Sequence, residues 1–247
     1  MLETVRNAFK LKEIRSRIIY TLLMLVVVRI GTQLPVPGVN GNYFSEWFSG
    51  NSGSAFGFFD AITGGSFEKM SVFALNITPY ITSSIIIQLL TIAIPKLEEL
   101  QKDGEEGRKK MTAITRYLTV ALALMESLAM AIGFGRSGLL IEFNALNVIT
   151  TVVTLTAGST VIMWIGERIT ENGVGNGISI VLTINIISRI PQDLTLLFEQ
   201  FVKGKEIAFQ VLNLAIIIAV IIAVTVLTVA LQGAERRIPV QYSRKVQ

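Results

Sequence analysis

The strongest constraint on the fold is a set of long stretches without any charged side chain. Residues 207–234, 70–95 and 143–166 contain no Asp, Glu, Lys or Arg. A helix needs about 20 apolar residues to cross about 30 Å of hydrocarbon. The sequence therefore predicts an all-α polytopic membrane protein.

Two further stretches are apolar apart from one charged residue each. Residues 18–34 contain Arg29, and residues 117–135 contain Glu126. The first of them is not predicted to be a cleaved signal peptide, because its apolar part is long and no small-residue cleavage site follows it. We predict about six transmembrane helices, at residues 18–36, 71–95, 115–135, 147–167, 174–197 and 208–232.

The basic residues are distributed unevenly between the predicted loops. Six spans place both termini on one side of the membrane, and the loops on that side hold 16 of the 22 Lys and Arg residues, whereas the opposite loops hold five. Cytoplasmic loops carry the excess of positive charge in membrane proteins. Both termini are therefore predicted to be cytoplasmic.

The composition argues against catalysis. The chain has no cysteine and no histidine, which removes disulfides, thiolate nucleophiles, most zinc sites and the commonest general base. The predicted spans contain no paired carboxylates. We therefore expect a protein that is not an enzyme.

The second predicted span has an unusual number of polar residues. Residues 76–88 read Asn-Ile-Thr-Pro-Tyr-Ile-Thr-Ser-Ser-Ile-Ile-Ile-Gln. Ile77, Ile81 and Ile85 recur at a spacing of four and form one apolar stripe, with Thr82 beside it. The polar side chains either tighten helix–helix packing or face a water-filled path. The sequence leaves both interpretations open.

Three other features mark positions inside the membrane. Residues 55–67 are apolar and glycine-rich but too short to cross, which favours a re-entrant segment over a surface loop. Glu126 lies midway along a span, where a charge costs at least about 2.5 kcal/mol unless it faces a cavity or partner, so we interpret it as functional. Arg29 lies nearer a span end and is predicted to be structural, with its charge reaching toward the interface.

The fifth span begins with the glycine-rich segment 173–180, Gly-Val-Gly-Asn-Gly-Ile-Ser-Ile. A nucleotide-binding loop is excluded because no strand precedes the segment and no Walker lysine follows it. We predict a flexible entry into a membrane helix. Ile178 and Leu182 then form a second apolar pair at a spacing of four.

Several motifs occur in order over nearly the whole chain, and together they resemble the N-terminal part of the bacterial SecY family of protein-conducting channel subunits. Each motif alone is weak, but the combination is specific. They are Leu34-Pro-Val-Pro-Gly38, Thr63-Gly-Gly65, Thr78-Pro-Tyr-Ile81, Ile85-Ile-Ile-Gln-Leu-Leu90, Gly104-Glu-Glu-Gly-Arg-Lys-Lys110, Thr115-Arg-Tyr117, Trp164-Ile-Gly-Glu167, Gly173-Val-Gly-Asn-Gly-Ile-Ser-Ile180 and Glu235-Arg-Arg-Ile-Pro-Val-Gln-Tyr242.

The resemblance implies ten spans in two inverted halves of five, of which this chain would hold the first half and one further span. Residues 1–17 would be a basic cytoplasmic segment. Residues 18–206 would form the five-helix half, including a plug helix (55–67) and the gate helices. Residues 207–234 would be the sixth transmembrane helix, and residues 235–247 would begin a basic cytoplasmic docking loop.

The resemblance also implies roles for particular residues. Glu126 is a departure, because the family more often has Gln at the matching position. The implied pore ring is Ile77, Ile81, Ile178 and Leu182; the lateral gate is Thr82, Ile85 and Glu126; the plug residues are Phe58, Phe59, Gly64 and Gly65; and the ribosome or SecA docking residues are Arg236, Arg237, Arg244 and Lys245. Positive-inside topology alone is a second explanation of the docking residues.

The function implied by the resemblance is passage of unfolded polypeptides across and into the plasma (inner) membrane. The expected partners are SecE, SecG, the SecA motor or the ribosome, signal sequences, nascent polypeptides and the phospholipid bilayer, with no DNA, cofactor or metal. The alternative is a secondary transporter of a small solute with Glu126 as its coupling site. A scaffold that packs partner helices is a third interpretation.

The sequence stops within the basic loop, before the family's seventh span. Half of the pore ring and the opposite gate wall would then be absent. We therefore expect a truncated chain that does not form a competent channel alone.

Overall fold

The computed structural model describes residues 11–51, 55–204 and 207–235. Helices dominate these ranges, and within them β-structure is limited to two isolated bridges, Pro35 with Ser71 and Val39 with Leu140. The prediction of an all-α fold is confirmed. The helices are α1 Lys12–Gly31, α2 Gly41–Asn51, α3 Ala55–Thr63, α4 Thr78–Ala93, α5 Pro95–Lys102, α6 Gly104–Gly133, α7 Ala145–Asn172, α8 Gly177–Phe201 and α9 Ile207–Gln232, with a 3₁₀ turn at Gly135–Ser137.

Four helices of the described ranges are long and apolar enough to cross a membrane, namely α6 with the turn after it, α7, α8 and α9. The chain bends by 105° between α4 and α5. If this bent pair is counted as one span, the described ranges contain a fifth crossing. The predicted number was about six. The difference lies in α1, because Lys12, Glu13, Arg15, Arg17 and Arg29 add charge to this helix.

The second predicted span is shorter as a helix than residues 71–95. Residues 71–77 form turns, and α4 begins only at Thr78, with Pro79 in its first turn. Asn76, directly before it, has a left-handed backbone with φ of 51°. At the other end Pro95 starts the separate helix α5. Proline has no N–H to donate and disfavours a helical residue before it, which explains the break.

The chain divides into two compact units, residues 1–189 and 190–247. In the second unit nearly every described side chain of α9 is exposed, and the helix contains no charged residue. An exposed helix that is apolar on all sides fits a lipid environment. Asn213 on this helix donates a hydrogen bond to the Phe201 carbonyl oxygen at 2.6 Å.

Small side chains hold the helices of the first unit together. On α6 the buried positions recur every four residues, at Thr115, Thr119, Ala123, Ser127 and Ala131. The hydroxyls of Ser127 and Thr156 lie 2.9 Å apart and join α6 to α7. Small residues let transmembrane helices approach closely, and their hydroxyls add interhelical hydrogen bonds.

The polar residues of α4 divide between the two interpretations that the sequence left open. Ser83 and Thr91 are buried and donate to backbone carbonyls of their own helix, so they serve close packing. Thr82, Ser84 and Gln88 are exposed. One face of α4 is therefore a packing surface, and the polar side chains of the other face are exposed at the surface of the first unit.

The glycine segment before α8 is closely packed, so the prediction of a flexible entry is wrong. A Cβ atom on Gly177 would lie 2.0 Å from the Gly166 carbonyl oxygen of α7, and one on Gly173 would lie 2.5 Å from Thr21 Oγ1. The backbone N–H of Val174 donates to Thr21 Oγ1 at 3.1 Å. Gly177 thus lets α8 approach the α7 backbone, and Gly173 lets the segment before α8 approach α1.

This packing predicts that Gly177→Ala destabilises the protein. The added methyl group would force α8 away from the α7 backbone, and overpacking of this kind costs about 1–3 kcal/mol. We expect a lower midpoint of thermal unfolding in detergent. The matched control is Gly133→Ala, because nothing lies within 4 Å of a Cβ at that helical position; an equal loss in both variants would contradict the prediction.

Candidate functional site

The four predicted pore-ring residues meet in one apolar cluster of the first unit. This cluster, called here the isoleucine cluster, is built on buried residues of α1, α7, α8 and the turn before α4, with further side chains packed against it. Its buried members are Val28, Phe73, Ile77, Ile162, Ile165, Ile169 and Val181, and Ile81, Ile178 and Leu182 are among the partly buried members.

The ring residues differ in their exposure. Ile77 is fully buried, whereas Ile81, Ile178 and Leu182 are half-buried. Ile77 thus packs inside the first unit. The other three keep part of each side chain at its surface, where a further wall or a passing chain can contact them.

A short helix, α3, occurs where the re-entrant plug was predicted. Phe59 packs edge-on against Phe67, with ring centroids 4.9 Å apart, while Phe58 is 72% exposed. Asp60 and Thr63 are fully buried, so the surface-loop alternative does not fit. The helix is held inside the first unit.

The two predicted plug glycines have different surroundings. Gly64 and Gly65 both have left-handed backbones, with φ of 69° and 80°. A Cβ on Gly64 would lie 2.5 Å from the Asn185 carbonyl oxygen of α8, whereas a Cβ on Gly65 would meet nothing within 4 Å. Gly64 therefore allows the end of the plug to touch the α8 backbone.

Asn76 connects α3 to two other helices. Its Nδ2 donates to the Ile62 carbonyl oxygen at 3.3 Å, and its Oδ1 accepts from Asn185 Nδ2 at 3.0 Å. Its backbone carbonyl accepts from Ser159 Oγ of α7 at 3.0 Å. Arg29 extends the group, because its Nη1 donates to Asn185 Oδ1 at 3.4 Å. We call Asn76, Asn185, Ser159 and Arg29 the asparagine network.

A buried ion pair also lies at the plug. The Arg189 guanidinium of α8 contacts the Asp60 carboxylate of α3, and the Glu68 carboxylate lies 3.9 Å from Arg189 Nη2. Sequence reasoning missed this pair and the asparagine network. The sequence signals were the single polar or charged residues Arg29, Asn76 and Asn185 in otherwise apolar stretches.

The predicted gate residues lie on α4 and α6. Thr82 and Ile85 are exposed on α4. Glu126 lines a cavity of about 390 Å³ whose other walls are mainly aromatic and aliphatic, namely Phe59, Phe67, Leu75, Ala129, Met130 and Phe134. Glu126 thus shares a cavity with Phe59 of the plug helix.

Some predicted features fall elsewhere. The docking residues Arg236, Arg237, Arg244 and Lys245 lie outside the described residues. Within the described ranges no cluster of three or more acidic residues is placed to hold a metal ion.

Comparison with known proteins gives one consistent result. Residues 71–247 match the SecY family model. The chain is 40% identical to the protein translocase subunit SecY of Streptomyces scabiei over its whole length, and 40% identical to that of Bacillus subtilis (strain 168) over 99% of it. It spans only 58% and 57% of the length of these two relatives.

Solved structures show a similar fold. A structure described as Sec61 in the canine ribosome-channel complex from the endoplasmic reticulum superposes with a TM-score of 0.58 at 19% identity, covering 91% of this chain and 49% of that one. A second, described as the structure of a protein conducting channel, gives a TM-score of 0.52 at 19% identity, covering 82% and 41%.

The geometry at Asn76 predicts different effects of two substitutions. Asn76→Ala and Asn76→Gly both remove the hydrogen bonds of the amide, but only glycine adopts the left-handed backbone without a steric cost. We expect both variants to lower the free energy of unfolding in detergent, with the alanine variant less stable than the glycine variant by about 1 kcal/mol. Equal stability of the two variants would show that the backbone at Asn76 is not strained.

Proposed function

The chain belongs to the SecY family, and on that premise we propose that it forms the first part of a channel that passes unfolded polypeptides across and into the plasma (inner) membrane. The proposed role is passage without covalent chemistry. Since the chain spans little more than half the length of its relatives, the opposite wall of the pore is proposed to come from the remainder of a SecY-like chain.

The observation that carries this proposal is the convergence of ring residues from two helices beside the plug helix. Ile81 of α4 and Ile178 and Leu182 of α8 belong to one cluster and stay half-exposed. A translocating chain presents many kinds of side chain, so a specific polar site would not serve it. Branched apolar groups contact any chain without binding it tightly, and a narrow apolar constriction resists wetting when it is closed.

The plug and the gate complete the proposal. Residues 55–67 are proposed to close the pore from the extracytoplasmic side. Thr82, Ile85 and Glu126 are proposed to line a lateral gate between α4 and α6 and the missing wall. The mixed polar and apolar surface of α4 suits an interface that alternates between contact with protein and contact with lipid.

The proposed topology places the N terminus in the cytoplasm, which the distribution of basic residues supports. The tail residues Arg236, Arg237, Arg244 and Lys245 are proposed to dock the ribosome or the SecA motor, because a basic loop attracts RNA and acidic protein surfaces. SecE and SecG are proposed as further subunits. The canine structure that resembles this chain is described as a ribosome-channel complex.

Cysteine crosslinking of a stalled nascent chain tests the channel. The sequence has no native cysteine, so Ile81→Cys and Ile178→Cys each introduce one reactive site. In the complete channel both positions should form a disulfide with a cysteine in the stalled polypeptide. The control is Val153→Cys, which is 60% exposed on α7 but lies outside the isoleucine cluster.

The crosslinking has two informative outcomes. Adducts at positions 81 and 178 but not at 153 support the pore ring. Absence of adducts at both ring positions, in a channel that still translocates the polypeptide, would overturn the assignment.

The docking proposal predicts weaker binding when the tail charge is reversed. Arg236→Glu combined with Arg237→Glu should reduce the affinity of membrane vesicles for ribosomes or SecA by roughly tenfold, most clearly at low ionic strength because salt screens the attraction. Lys109→Glu is the control, since it reverses a basic charge on another cytoplasmic segment. Unchanged affinity of the tail variant would leave these arginines with a role in topology alone.

A further inference from the structure

We propose that Arg189 latches the plug: its buried ion pair with Asp60 holds α3 in the resting position, and movement of α8 breaks the pair. The residues Asp60, Glu68 and Arg189 are called the plug latch. The inference rests on the proposed function, because it takes α3 to be a plug that must move.

The latch joins two separate parts of the chain. Asp60 lies in α3 and is fully buried, and the Arg189 side chain on α8 is only 13% exposed. Nη1 of Arg189 contacts Asp60 Oδ2, while Nη2 lies 3.9 Å from Glu68 Oε2. The other oxygen of Asp60, Oδ1, accepts from the backbone N–H of Glu68 at 2.8 Å. Oδ1 of Asp60 thus accepts a hydrogen bond, and Oδ2 lies in the ion pair.

Asp60 also organises the end of the plug helix. Its backbone carbonyl accepts from the Gly65 N–H at 3.1 Å and from Thr63 Oγ1 at 3.0 Å. The carboxylate is therefore held at a fixed place relative to α3. Any displacement of the helix carries the carboxylate away from Arg189.

Burial makes this pair sensitive to displacement. Two charges in a low-dielectric site are tolerated while they neutralise each other, and separation leaves each one buried without compensation. A small shift of either element is thus strongly opposed, whereas an exposed pair would exchange its partner for water. This is the behaviour expected of a latch.

The latch lies on the same face of α8 as the ring residues. Ile178, Leu182, Asn185 and Arg189 follow each other at spacings of four, three and four, which places them along one stripe of a helix. Asn185 bonds Asn76, whose amide holds the Ile62 carbonyl of α3, and Arg189 bonds Asp60. One helix face therefore carries apolar ring residues and, further along, two attachments of the plug.

This arrangement couples the ring to the plug. In this proposal, movement of α8 away from α4 widens the constriction, and the same movement withdraws Asn185 and Arg189 from their partners. A polypeptide that separates the helices at the ring would thereby release the plug. In the resting state the intact ion pair would hold α3 at a fixed position relative to α8.

The test measures how often the plug leaves its place. Ser66→Cys introduces a thiol within the plug segment, after α3, at a position that is 1% exposed, so a water-soluble maleimide should label it only after displacement. The labelling rate is measured in the complete resting channel, without a polypeptide. Asp60→Asn and Arg189→Gln should each raise this rate by roughly tenfold or more.

Four further variants, the last of them a control, separate charge pairing from shape. Asp60→Asn combined with Arg189→Gln removes both charges and should label more slowly than either single variant. Arg189→Lys keeps the charge and should stay near the rate of the original chain. Glu68→Gln should have a smaller effect than Asp60→Asn, because Glu68 is more exposed and farther from Arg189. Arg168→Gln, which breaks an exposed pair with Glu171, should change nothing.

Several results would overturn the latch. Unchanged labelling in both Asp60→Asn and Arg189→Gln would do so, as would equal rates for Arg189→Lys and Arg189→Gln. Ser127→Cys, fully buried on α6, reports on general loosening. If the latch variants expose this thiol as fast as the one at position 66, the ion pair supports the whole fold and not the plug.

The two proposals can fail separately. In one outcome, no nascent-chain adducts form at positions 81 and 178, but the latch variants still raise the labelling rate at position 66. That outcome would refute the channel and support the ion pair as the restraint on α3. The opposite outcome is adducts at positions 81 and 178 with a labelling rate at position 66 that does not change in the Asp60 and Arg189 variants. That outcome would support the channel and refute the latch.

Discussion

The structure depends on the requirement that polar groups at membrane depth find their partners inside the protein. An unpaired polar group in hydrocarbon costs several kcal/mol, and an unpaired charge costs more. Asn76 meets this requirement for three elements at once, since it bonds the plug through Ile62, α7 through Ser159 and α8 through Asn185. Without these bonds the irregular backbone between α3 and α4 would expose carbonyls that only water could satisfy.

The same requirement divides α8 into two parts with different chemistry. Near its start the helix carries Ile178 and Leu182 in the isoleucine cluster. Two to three turns later it carries Asn185 and Arg189, which bond the plug side of the first unit. In the proposed channel, an apolar constriction without a polar restraint would leave a glycine-containing plug free to move, and a polar restraint without an apolar ring would admit water. The proposal assigns both to α8 because Ile178, Leu182, Asn185 and Arg189 recur on one face of the helix.

Sequence periodicity predicted much of this arrangement, but only where the signal is local. The apolar stretches predicted the helices α4, α6, α7, α8 and α9. The four-residue spacings marked two separate apolar pairs, Ile77 with Ile81 and Ile178 with Leu182, and only the family resemblance implied that the two pairs meet, as they do in the isoleucine cluster. The bond between Asn76 and Asn185 joins residues 109 positions apart, so no local pattern contains it. The glycines before α8 were wrongly interpreted as flexible, because glycine serves mobility and close approach equally well.

Residues of the first unit hold α3 and the turn that follows it. Among the described residues, the partners of α3 and its following turn include Asn76, Asn185 and Arg189, and all of them precede the boundary at residue 190. The half-exposed ring residues belong to the same unit. In the proposed channel, a wall that completes the pore would meet a plug that is already held, and it would act on that plug by shifting α8 or by contacting the exposed sides of Ile81, Ile178 and Leu182. On this proposal, opening depends on the contact between the two walls, and the contacts that favour closure lie within the first unit.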